Sequence, residues 1–125
     1  MDEKEIVTTM ALIKIGVKCD LIGFSYLVKA VKLAIDDPNI IYSSQKMFKI
    51  IAENSNAKSP TRVEANMQNA INNTYDMVGF NELNSLFGFE AIRPEHKPTI
   101  AELVKLLAEY YLLKIYQNTI QPTNF

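Results

Sequence analysis

Apolar residues recur at three- and four-residue steps along most of this 125-residue chain, and nowhere do they alternate strictly over six residues or more. The first spacing stacks side chains on one face of a helix, whereas strict alternation is what a half-buried strand needs. The chain is therefore expected to be all-α, with few or no strands. Its 48% apolar and 22% charged content is that of an ordinary globular domain. A chain of this length buries roughly two-thirds of its unfolded surface, so no metal or disulfide staple is required.

The periodicity divides the chain into helices. The first is expected over Glu5–Ile15, with Ile6, Met10, Ile13 and Val7 as its inward stripe and Gly16 as its end. The second is expected over Phe24–Ile35, with Leu27, Val31, Ala34 and Ile35 on one face, stopped by Asp36-Asp37-Pro38-Asn39. The third runs from Ser43 or Ser44 to Asn54, with Met47, Phe48, Ile50 and Ile51 turned inward.

A polar connection over 54–58 leads to the fourth helix. Ser59 is suited to its N-cap and Pro60 to its first position. Val63, Met67, Ile71, Tyr75 and Val78 form its stripe, Ala70 and Thr74 flank it, and Gly79 closes it. A short turn over Asn81–Leu86 follows. The last helix opens at Pro98-Thr99, where Thr99 and Glu102 have the spacing of a capping box, and reaches Tyr116. Residues 1–5 and 117–125 read as tails around a single domain over 6–116.

Several kinds of chemistry are not expected. The single Cys19 excludes an internal disulfide, and the lone His96 leaves no His/Cys cluster for zinc. Asp36 and Asp37 are adjacent and point apart on any regular element, so they read as a helix stop rather than an acid–base pair. A Cys19–His96 dyad would lack an obvious third, orienting group. No glycine loop cradles a phosphate. Neither an enzyme nor a cofactor is expected. No apolar run approaches the ~20 residues of a membrane span, so no membrane partner is expected.

The informative stretch is the third helix, the polar turn and the fourth helix, which together have the parts of a helix-turn-helix. Arg62, Glu64, Ala65, Gln68, Asn69, Asn72 and Asn73 lie away from the fourth helix's apolar stripe, with Asn66 at its edge. Amides both donate and accept, as adenine N6 and N7 require in the major groove. The plain alternative is a solvated polar face. From Ser43 to Tyr75, Lys46, Lys49, Lys58 and Arg62 stand against Glu53 and Glu64, a local +2 in a chain of net charge −1.

Short anchors along the chain also carry a resemblance. Ile15-Gly16-Val17, Gly23-Phe24-Ser25-Tyr26-Leu27 with Ala30, Thr61-Arg62-Val63-Glu64, Ala70-Ile71, Phe87-Gly88-Phe89 and Lys97-Pro98-Thr99 with Glu102 occur in order. The set resembles the C-terminal effector domain of the stage-zero sporulation protein A family of response regulators. The resemblance implies an all-helical domain of about six helices with an embedded helix-turn-helix that binds promoter DNA. In that family a phosphorylatable receiver domain comes before it, and no receiver segment is expected within this chain.

By the same resemblance the DNA-reading helix falls on Ser59–Val78. Lys46, Lys49, Lys58 and Ser59 would serve the backbone, while Arg62, Glu64, Ala65, Gln68 and Asn69 would lie near base edges. The family usually has arginines at Ala65 and Gln68, a histidine at Asn69 and a tryptophan at Tyr75. The expected partner is a double-stranded promoter operator in the bacterial cytoplasm, at the nucleoid. Self-association on DNA and contact with RNA polymerase are further partners consistent with such a domain. Phe87-Gly88-Phe89 reads as a buried packing corner. The net charge and the two missing arginines also fit a second reading, a protein-interaction module that keeps the fold and has lost operator binding.

Overall fold

The structure is a computed structural model and describes residues 1–57 and 59–120. Six helices form, and no strand occurs among the described residues. They are α1 (Glu3–Ile15), α2 (Ile22–Asp36), α3 (Ser44–Glu53), α4 (Pro60–Met77), α5 (Asn81–Phe87) and α6 (Ile100–Ile120). A 3-10 turn over Pro38–Tyr42 joins α2 to α3.

The organising element is α2, which packs against α1, α3, α4 and α6. It is apolar on most sides, and Leu27, Ala30 and Val31 are fully buried. Gly23 lets its first turn lie almost backbone to backbone on α4. A Cβ there would sit 2.0 Å from the Asn66 carbonyl oxygen and 3.0 Å from the Ala70 Cβ.

Both chain ends are more helical than their composition indicates. Asp2 and Glu5 form a capping box, with the Glu5 N–H donating to Asp2 Oδ1 at 2.9 Å, so α1 begins inside the expected tail. Asp2 also pairs with Lys32, Lys4 with Asp36, each at 2.6 Å, and the Tyr111 hydroxyl donates to Glu3. The hydrogen bond from Lys32 holds the Asp2 carboxyl below its ordinary range. At the other end α6 passes Tyr116 and reaches Ile120. No glycine or proline interrupts the sequence between Thr99 and Gln121. The rest of the expected C-terminal tail, residues 121–125, lies outside the described residues.

The inward stripe of α1 differs from expectation. Thr8, Ala11, Leu12 and Ile15 face the core, while Ile6, Met10 and Ile13 are exposed, Met10 by 67%. Apolar residues occur on nearly all sides of this helix, so two stripes satisfy the same period. In α4 the buried side is Val63, Met67, Ala70, Ile71 and Thr74, so the stripe drifts toward the flanking residues and leaves Val78 exposed. The Thr74 hydroxyl is satisfied by donating to the Ala70 carbonyl at 2.8 Å.

The Asp36-Asp37-Pro38-Asn39 stop is also the start of a 3-10 turn that contributes to the core. Asp37 accepts a hydrogen bond from the Asn39 N–H, and Ile40 is buried. The Phe87-Gly88-Phe89 corner is only partly a core feature. Phe87 packs edge-on against Tyr110, but Phe89 is 62% exposed and Gly88 takes the left-handed φ of 78° that ends α5.

Candidate nucleic-acid interface

The α3–turn–α4 unit is held from beneath. Met47, Phe48 and Ile51 of α3 are buried with Val63 and Met67 of α4 in one apolar cluster. The turn is closed by local bonds. Asn54 Nδ2 donates to the Ile50 carbonyl at 2.9 Å, and the Ser55 hydroxyl donates to that of Ile51. The Ile50 carbonyl also accepts the Asn54 N–H at 3.1 Å, and Ser55 supplies a donor to a carbonyl in the last turn of α3, where backbone partners run out. Ser59 has extended backbone, and its hydroxyl accepts the Arg62 N–H at 3.2 Å, so it caps α4 as its residue type leads one to expect.

The expected contact residues divide into groups. Lys46 and Lys49, three residues apart, share the exposed side of α3. Lys49 lines a shallow hollow with Glu53, Ser59 and Pro60, so its side chain lies beside the start of α4. Lys58 lies outside the described residues. Arg62, Glu64, Ala65 and Asn69 are all exposed on α4. Among the described residues neither Arg62 nor Glu64 takes part in an ion pair, so Glu64 does not hold Arg62 in place.

Gln68 is placed differently. It is half-buried, and its Nε2 donates to Asn72 Oδ1 at 3.0 Å. The same oxygen accepts Lys97 Nζ at 3.0 Å, and that ammonium stands 5.6 Å over the Tyr75 ring. Tyr75 in turn donates its hydroxyl to the Glu95 carbonyl at 2.9 Å. The segment before α6 is thereby fastened along the flank of α4. Sequence reasoning placed Asn72 on this face but did not single it out, and it took Lys97 only as an anchor of resemblance. The two are 25 residues apart, and helical periodicity carries no signal over that separation.

The start of α6 is fixed by the expected capping box. Thr99 N–H donates to Glu102 Oε1 at 2.8 Å and Glu102 N–H to Thr99 Oγ1 at 3.1 Å. The Thr99 N–H, aided by His96 at 3.0 Å, holds the Glu102 carboxyl below its ordinary value. His96 is thus engaged with Glu102, and Cys19 is exposed. No group of three or more His, Cys, Asp or Glu side chains able to hold a metal converges among the described residues. No helix among them is long and apolar enough to cross a membrane.

The molecule is therefore an all-α domain that displays one long, amide-rich helix braced by a shorter helix carrying exposed lysines. The family model described as Sporulation initiation factor Spo0A C terminal matches residues 8–111. The chain belongs to that family of sporulation initiation effector domains.

Proposed function

We propose that this chain is a sequence-specific, DNA-binding regulator of transcription, acting as a helix-turn-helix with α4 in the major groove. The observation that carries the reading is the exposed strip of α4 itself. Arg62, Ala65 and Asn69 are exposed on α4, and Lys46 and Lys49 are exposed on α3, the helix packed against it. In this reading the cations of α3 and the turn meet phosphates and set the register. Arg62, Glu64, Ala65, Gln68 and Asn69 lie at base edges. The partner is a promoter operator, with self-association on DNA and RNA polymerase as further partners, in the cytoplasm at the nucleoid.

The chemistry of the strip sets the base preference. Arginine pairs with guanine O6 and N7, whereas glutamine and asparagine suit adenine N7 and N6. Ala65 offers only a methyl group, suited to packing on thymine's methyl. The favoured half-site is expected to be richer in A·T pairs than the family's usual operator. Binding of the wild type and of an Ala65→Arg/Gln68→Arg double variant is compared on A·T-rich and family-type sites at equal salt. The wild type is expected to favour the A·T-rich site, and the double variant to bind all DNA more tightly and shift toward the family site. A wild type that already favours the family site would remove the amide-reading account.

A further inference from the structure

Asn72 sits where α4 meets the segment leading into α6, and its side-chain oxygen is doubly used. It accepts from Gln68 Nε2 and from Lys97 Nζ, each at 3.0 Å. A lysine ammonium only donates hydrogen bonds. Whatever faces Lys97 must therefore be an acceptor, so the Asn72 amide turns its oxygen to the lysine and its NH2 group away. The same oxygen takes a Gln68 N–H, which fixes Gln68 as well, with its NH2 toward Asn72 and its Oε1 on the side away from it. Without the lysine, both amides could rotate by half a turn and present the opposite pattern, since such terminal torsions are broad and two-fold.

Lys97 is itself held in position. It stacks on Tyr75, whose hydroxyl is tied to Glu95, and it is followed by the buried Pro98 and the Thr99–Glu102 capping box. Among the described residues it takes part in no ion pair. Its ammonium spends its hydrogen bond on a neutral amide at the rim of the α4 face.

We propose that Lys97, from outside the helix-turn-helix, is a specificity-setting positioning residue that fixes which ends of the Asn72 and Gln68 amides are presented to DNA. This rests on the DNA-reading role proposed above for α4. Asn72 then acts through its NH2 alone and discriminates in favour of base edges that accept, such as guanine O6 and N7 or thymine O4. It acts against cytosine, whose N4 donates. Gln68 keeps its Oε1 and its second N–H, the pair that adenine requires.

The test is selection of bound sequences from a random DNA pool by the wild type and by Lys97→Met, Lys97→Arg, Asn72→Ala and Lys97→Met/Asn72→Ala, with Tm and affinity for non-specific DNA measured alongside. Lys97→Met is expected to keep its Tm and to lose about five- to tenfold of the preference at one base pair, the scale of a single lost base contact. Lys97→Arg, which also only donates, should retain that preference. Asn72→Ala should lose the same preference, and the double variant should lose no more, because the two residues act as one unit. The inference is overturned if Lys97→Met weakens all sequences equally and leaves the selected motif intact, since Lys97 is then only a phosphate contact. It is overturned equally if the motif and the affinity are both unchanged. A wild type that selects no motif overturns the DNA-reading role of α4, and this inference with it.

Discussion

Gly23→Ala should destabilise the domain by about 1–3 kcal/mol or more, although the same change in an unpacked helix stabilises by about 1 kcal/mol. The sign reverses because of what the new methyl group meets. It would stand 2.0 Å from the Asn66 carbonyl oxygen and 2.7 Å from its carbon, both backbone atoms of α4. A flexible side chain could swing aside, but a carbonyl inside a helix moves only if the helix moves. The substitution must therefore push α4 away from α2 and open the packing around Met67 and Ala70. Because α4 also carries the exposed polar strip, DNA affinity should fall together with Tm. Thermal and urea unfolding measure the effect, and a Tm equal to or above that of the wild type would show that the two helices do not approach so closely.

The second large effect is expected at Met67, which is fully buried on the inner side of α4. Met67→Ala removes a long apolar side chain from the cluster between α4, α2 and α3 and leaves a cavity, at a cost of about 2–5 kcal/mol. Total stabilities run at about 5–15 kcal/mol, so one such change consumes much of the margin. Asn69→Ala, two residues along on the exposed side, should stay within about 0.5 kcal/mol. Denaturant melts of the two variants test the assignment of the helix faces directly. Similar midpoints for both would mean that α4 is rotated from the orientation described here.

These residues also show which parts of the fold were legible beforehand. Helical period and cap chemistry are local, and so Ser59, Pro60 and the Thr99–Glu102 box mark helix starts where the structure has them. Asp2 and Glu5 have the same local form, but they lie in a charged stretch with no apolar period of its own. Choosing between two apolar stripes on α1 needs knowledge of its neighbours. Thr8 and Ala11 are small enough for close approach to the core, and this leaves Met10 and Ile13 outside. The meaning of Gly23 was hidden for the same reason, because its partner lies 43 positions away at Asn66.

The candidate interface follows the same division. Exposure of Arg62, Glu64, Ala65 and Asn69 follows from the helical period, since each lies off the stripe of Val63, Met67 and Ile71. Gln68 lies off that stripe too, but it is half-buried and Asn72 takes up one of its N–H groups. Local sequence therefore identifies which side of α4 faces outward. Only the tertiary fold brings Lys97 to that side and sets the orientation of its amides.

The central claim is that α3 and α4 meet DNA through a small set of cations, and its most direct test is the salt dependence of DNA affinity. If Lys46, Lys49 and Lys58 each neutralise a phosphate, and Arg62 reaches a fourth from its place beside the base edges, the slope of log affinity against log salt should lie near −3 to −4, at about 0.9 per phosphate. Lys49→Gln should reduce that slope by about 0.9 while leaving the melting temperature in place. No binding even at low salt, or a slope near zero, would contradict the account and favour a protein-interaction module built on the same fold.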